Sequence, residues 1–287
     1  MPSNPHKGGA HGIVSGTDDT FRITVPTGGG MIAVKVRGKS NPYPPARLAP
    51  ADQGKLVVKG EDGSRFGIPL SLYNAYRFVE FPDGVASATV DLEVTPGLTR
   101  KGELVGPDGR PVAGAKALGL TTDYFAATSL EGATFEVQGL RPEESRLVEF
   151  RHEGLGLAGS ATVAGSDPAD RPRVVKLTRY GTIAGRLLDE DNQPLRAAKV
   201  GAVVVSRRGY QPSDPAFHPR EAVTDQAGRF RIEGINPSLD VSLGIQNPND
   251  QAAQSEAKPD KDLNPLTVRP GEVLDIGEVR VRFQPVP

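Results

Sequence analysis

Cysteine is absent from the 287 residues, and so is tryptophan. Without cysteine there are no disulfides, no thiolate nucleophile and no cysteine-ligated zinc. Lack of tryptophan, with only 6 tyrosines, removes most of the flat platforms on which sugars stack. Charge of one sign is missing too, since 34 Lys and Arg stand against 35 Asp and Glu for a net charge of −1. No long-range positive field is available to gather nucleic acid or an anionic membrane, so neither is an expected partner. No apolar run approaches the ~20 residues that cross a bilayer as a helix. The opening Met1–Ala10 stretch lacks the apolar segment of a secretion signal. If the protein is exported, its signal is expected upstream of this chain, where a further domain of a longer protein would also lie. Helical periodicity is confined to a weak, short stretch near Ser71 to Arg77.

What is present is turn chemistry and alternation. The 34 glycines and 26 prolines show no collagen period and point to many turns between short strands. Asp62-Gly63, Asp83-Gly84 and Asp108-Gly109 each supply a residue tolerant of positive φ between strands. Phe21, Ile23 and Val25 alternate with polar neighbours, as do Ile32, Val34 and Val36, Phe230 and Ile232, and Val279, Val281 and Phe283. One apolar and one wet face per strand predicts antiparallel sheets packed as a sandwich.

An internal repeat organises the chain. The stretch Gly102–Ala115 aligns with Gly185–Ala198, placing Pro111 over Pro194; Phe135 then falls over Phe230, and Val175 over Val279. Order is kept while the spacing widens, the mark of two copies of one fold whose second copy has longer loops. A third, partial copy opens the chain, with Thr17–Pro26 matching the middle of the repeat and Val90-Asp91-Leu92 its end. The expected layout is a flexible leader over 1–11, a partial or rearranged module over 12–97, and β-sandwich modules over 98–180 and 181–284. The fold class is all-β, with tandem antiparallel β-sandwich modules of prealbumin or immunoglobulin-like type.

At the repeat the sequence resembles the carboxypeptidase regulatory-like family of transthyretin-like and Cna-B-like sandwiches. The resemblance rests on Gly185, Leu187-Leu188, Asp191-Asn192, Pro194 and Ala197-Ala198, then Thr224-Asp225, Gly228 and Phe230. A Gly-hydrophobic-x-Pro element follows, as Gly139-Leu140-Arg141-Pro142 and Gly234-Ile235-Asn236-Pro237. The family implies a non-catalytic accessory sandwich of bacterial envelope or secreted proteins, hence an extracellular or periplasmic site. Every motif residue also has a purely structural account in turn closure, strand termination and core filling.

The sequence offers no catalytic constellation. The histidines are His6, His11, His152 and His218, and none sits in a zinc-peptidase arrangement of three converging ligands. His152-Glu153 adjoin on one strand, so their side chains are expected on opposite faces. Gly97–Gly102 has P-loop glycine spacing, but Glu103 stands where the phosphate-binding lysine belongs. Ser255-Glu256-Ala257-Lys258 matches a hydrolase nucleophile pattern without its partner motifs. The run Asp189-Glu190-Asp191 could attract calcium, but a solvated hairpin turn explains it more simply. Lys116 and Lys199 sit on equivalent strands, where related sandwiches form lysine–asparagine crosslinks, yet nothing locates the asparagine and acid. No metal site, no cofactor and no enzymatic activity are expected.

Binding function on rigid sandwiches is carried by loops. The spacing widens at residues 207–220 and again at 247–264. The first of these loops holds Arg208, Tyr210, Phe217 and His218 and is the candidate ligand contact, with a protein or a polysaccharide as partner. The expected function is a structural or interaction array that spaces or presents partners at a bacterial cell envelope. The alternatives are a polysaccharide- or peptide-binding module, and an accessory segment of a larger enzyme.

Overall fold

The computed structural model describes residues 20–25, 27–36, 41–52, 57–59, 65–67, 73–122, 126–207, 212–249 and 255–285. The fold is all-β, and the chain divides into two compact units, Met1–Gly38 with Tyr43–Pro96, and Lys39–Pro42 with Gly97–Pro287.

In the first unit β1 (Gly28–Val34), β2 (Val57–Lys59), β3 (Arg65–Gly67) and β4 (Ala75–Phe81) form two antiparallel pairs, β1 with β4 and β2 with β3. Asn74 ties β1 to β4. Its Oδ1 accepts from the Val36 N–H at 2.8 Å, and its Nδ2 donates to the Tyr43 and Pro44 carbonyls. Two expectations fail here. Phe21–Val25 and Val90–Leu92 form no strand, and the predicted helix gives way at Ala75–Arg77 to the start of β4. Tyr76 and Phe78 stack edge to face with ring centroids 5.6 Å apart. Residues two apart on a strand share a face, and aromatic content favours strand over helix.

The second unit contains β5 (Leu98–Val105), β6 (Lys116–Leu118), β7 (Ala127–Ser129), β8 (Thr134–Leu140), β9 (Ser145–His152), β10 (Leu157–Ala164), β11 (Arg173–Lys176) and β12 (Thr178–Arg179). It continues with β13 (Gly181–Leu188), β14 (Lys199–Val204), β15 (Arg220–Val223), β16 (Arg229–Ile235), β17 (Val241–Gln246), β18 (Ser255–Pro259) and β19 (Val273–Pro285). Sheet β11-β5-β8 faces sheet β12-β10-β9-β6-β7 across one apolar cluster, which includes Leu104, Phe135, Val148, Phe150 and Val175. Sheet β16-β13-β19-β18 faces β15-β14-β17 across another, which includes Ile183, Leu187, Phe230, Ile232 and Val279.

The two sandwiches share a register. Gly102 lies opposite Phe135 on the antiparallel neighbour, and Gly185 lies opposite Phe230. On the parallel side Leu104 pairs with Val175, and Leu187 with Val279. The glycines are needed because each phenylalanine ring lies over the backbone: a Cβ on Gly102 would sit 2.1 Å from Phe135 Cζ, and one on Gly185 3.0 Å from Phe230 Cε1. The turns agree as well, since the Gly106 N–H donates to the Arg110 carbonyl in the first sandwich and the Asp189 N–H to the Gln193 carbonyl in the second. Glu190 of the acidic run pairs with Arg282.

One element departs from that correspondence. In the first sandwich β10 pairs with β9 along its whole length. In the second, β18 pairs instead with β19 in the opposite sheet, and the irregular segment Leu263–Leu266 borders β17, with Leu266 exchanging backbone hydrogen bonds with Val241. The widened spacing at 247–264 thus carries a change of sheet.

Candidate functional site

The most developed arrangement of polar side chains lies in the seam between the two sandwiches of the second unit. It begins on β9, whose sequence Ser-Arg-Leu-Val-Glu-Phe-Arg-His alternates so that Val148 and Phe150 enter the core. Glu149 and Arg151 therefore face the other way, yet each side chain is only 3% exposed, and Arg151 Nε meets Glu149 Oε1 at 3.0 Å. The second sandwich covers them. Arg151 Nη1 donates to the Gly234 carbonyl at 2.8 Å, while Asn236 Nδ2 reaches both Glu149 Oε1 and the Gly159 carbonyl at 3.4 Å. Asn236 is buried and its Oδ1 accepts from the N–H and hydroxyl of Ser238. The Tyr180 ring lies 5.5 Å from the Arg151 guanidinium carbon. Burial raises the Tyr180 phenol above its ordinary 10.0 despite the nearby positive charge.

Gly234 belongs to the Gly-hydrophobic-x-Pro element, and its φ of 76 matches the 69 of Gly139 in the other copy of that motif. Both sit where the strand pairing slips, at Leu98/Arg100 in one sandwich and Gly181/Thr182 in the other. A slip of this kind leaves carbonyls outside the ladder. In the first sandwich the Gln138 and Gly139 carbonyls accept from Arg146 at 2.6 and 3.1 Å. In the second, β17 carries no arginine, and Arg151 serves Gly234 from across the seam.

The candidate loop forms the seam's second half. Arg208 and Tyr210 lie outside the described residues. Asp214 caps a short 3-10 turn over Pro215–Phe217, its Oδ1 accepting from the Ala216 N–H with Pro215 at the first position, the helix-start chemistry of an Asp-Pro pair. The turn presents Phe217, 1% exposed, to Leu118 and Ala127 of the first sandwich. Phe217 thus fills a joint and offers no face to solvent. His218 Nε2 contacts the Pro212 carbonyl at 2.9 Å, within its own loop. Lys116 Nζ bridges both Asp214 carboxylate oxygens at 2.9 and 3.1 Å. Burial pushes the Asp214 carboxyl up, but the hydrogen bonds from Lys116 and the Ala216 N–H outweigh it and hold the group below its ordinary 3.8. Arg220 reaches Glu153 at 2.6 Å, and Ser160 donates to the Ser238 carbonyl.

The other sequence candidates are placed by their partners. Lys199 pairs with Glu221 at 2.9 Å, and neither it nor Lys116 enters a core. His152 caps the turn after β9 through Nδ1. Among the described residues no group of three His, Cys, Asp or Glu side chains is placed to hold a metal ion, and no helix is long and apolar enough to cross a membrane. The seam escaped sequence reasoning because β9 reads as an ordinary half-wet strand; only the opposite charges of Glu149 and Arg151, two apart on its outer face, hinted that this face is not plain solvent.

No family model matches the chain, and no curated protein does either. Among solved structures it is similar to a streptococcal ancillary pilin, with 13% identity, a TM-score of 0.30, and coverage of 79% of this chain and 74% of that one. It is also similar to the TIE protein of Bacillus anthracis (11%, TM-score 0.28, 78% and 40% covered) and to BcpA, the major pilin subunit of Bacillus cereus (9%, 0.24, 78% and 93%). Overlap of this extent carries no inference about activity.

Proposed function

We propose that the chain is a non-catalytic structural and interaction array, whose residues 98–180 and 181–284 are two copies of one carboxypeptidase regulatory-like module. The two are held in one orientation so as to space or present partners at a bacterial cell envelope. The observation that carries this reading is the hydrogen bond from Arg151 to the Gly234 carbonyl, with Glu149 and Asn236 buried around it. A buried ion pair is costly unless its geometry and remaining hydrogen bonds are satisfied, so a seam built on one favours a single arrangement over a sliding contact. The shared registers of Gly102 with Phe135 and Gly185 with Phe230 support common descent of the two sandwiches. The envelope location follows from the family resemblance.

The absence of cysteine makes the test clean. Spin labels at Glu131→Cys and Val273→Cys, one exposed site on each sandwich, give an interlabel distance distribution by pulsed electron resonance. One narrow peak is expected. A broad distribution in the otherwise native chain would mean that the sandwiches move independently and would end the proposal.

A further inference from the structure

On the first sandwich alone, between β10 and β11 where the two sheets part, lies a cleft of about 420 Å³, within the range of small-ligand sites. Its lining includes Arg100, Lys101, Arg171, Arg173 and Lys176 against a single carboxylate, Asp167. For a chain of net charge −1 this is a strong local excess, where surfaces ordinarily intersperse the two signs. Lys101 leans to Glu136 at 3.7 Å, and the Asp167 carboxylate accepts from the Ala164 N–H. No carboxylate among the described residues pairs with Arg171, Arg173 or Lys176.

Strand alternation brings two of these charges, Arg100 and Arg173, together. Arg100 shares the inward face of β5 with Gly102 and Leu104, and Arg173 shares that of β11 with Val175. Both guanidiniums therefore stand at the mouth of the sandwich, above an apolar floor of Val163 and Val175. Arg100 is fixed there by donation to the Gly165 and Thr99 carbonyls, and its Nε is buried with no acceptor. A buried donor without a partner costs stability that a bound acceptor returns. Planar guanidiniums match the paired oxygens of phosphate and carboxylate groups.

We propose that this cleft binds a compact, multiply charged oxyanion, of the phosphate-ester or polycarboxylate class. The site depends on no contact across the seam, so it stands or falls apart from the mutual orientation of the sandwiches. Titration calorimetry of the full chain at low ionic strength, with pyrophosphate and separately with citrate, tests it and tells the two classes apart. Saturable heat at one site per chain is expected for at least one probe. The double change Arg171→Gln/Arg173→Gln should weaken it about tenfold to hundredfold, and Arg171→Glu alone, at an exposed loop position lining the cleft, should do likewise without lowering the ligand-free melting temperature. Arg231→Gln, on the second sandwich, should change nothing. No saturable heat with either probe, or equal weakening by Arg231→Gln, overturns the proposal. Arg171→Glu decides the matter alone if the double variant fails to fold.

Discussion

Arg151→Met keeps most of the aliphatic stem and removes the guanidinium that organises the seam. Glu149, a buried carboxylate 3% exposed, then loses the guanidinium that meets it at 3.0 Å. Removing one partner of a buried ion pair costs about 3–5 kcal/mol. The Gly234 carbonyl also loses its donor, which alone is worth about 1–3 kcal/mol but overlaps the first penalty. A loss near 4 kcal/mol is a large share of the 5–15 kcal/mol that typically hold a domain. For a unit of this size it corresponds to a fall of about 8–16 °C in melting temperature. Scanning calorimetry of the full chain at neutral pH reads it directly. The double variant Glu149→Leu/Arg151→Met should recover much of the loss, because replacing both partners of a buried pair by apolar groups is often neutral. A shift below about 2 °C for the single variant, or a double variant no better than the single, would refute the view that this pair holds the seam.

Gly102→Ala should destabilise more than Gly185→Ala. The added Cβ meets Phe135 Cζ at 2.1 Å in the first case, and Ile276 Cγ1 at 2.7 Å and Phe230 Cε1 at 3.0 Å in the second. Overpacking of this kind costs about 1–3 kcal/mol or more, and urea midpoints that leave either variant at the native value would contradict the ring-over-glycine packing. Asp214 gives a pH test: its carboxyl sits below 3.8 in the fold, so the fold favours the ionised form. That contribution is complete above the unfolded value and is lost as the pH falls through the lowered folded one. The melting temperature difference between native protein and Asp214→Asn should therefore hold steady near neutrality and shrink below about pH 4; a gap that widens on acidification would reverse the assignment.

Period-two alternation was enough to read the strands around Phe230 and Val279, because each has one face in a core and the pattern needs no knowledge of neighbours, and the repeat carried that reading to Phe135 and Val175. It failed at Phe21–Val25, where alternation exists but no partner strand among the described residues adds a ladder. At Ala75–Arg77 a weak helical period lost to the strand tendency of Tyr76 and Phe78. The widened spacing marked where the second sandwich departs from the first, but 247–264 was expected as a loop and holds β18, and nothing local there reveals that this strand crosses to the other sheet. Phe217 shows the deeper difficulty. An aromatic in a long polar loop looks like a ligand contact, and its burial against Leu118 is legible only once a second sandwich is put beside the first. The same holds for Glu149 and Arg151, whose outward positions look solvated on an isolated sheet.

The slipped corner of each sandwich explains why the two belong together. Such a corner leaves a glycine carbonyl that needs a donor, and buried carbonyls are rarely left without one. The first sandwich meets its need internally through Arg146, two residues from Glu144, which steadies the guanidinium at 3.2 Å. The second has Val241 at the start of β17 and no arginine along that strand. Its Gly234 carbonyl is satisfied by Arg151, and Asn236, two residues on, reaches back to Glu149 and Gly159. The motif that turns the chain in each sandwich has therefore become, in the second, the point of attachment to the first. The dependence runs in one direction, so the first sandwich closes its own corner while the second borrows a donor to close its own.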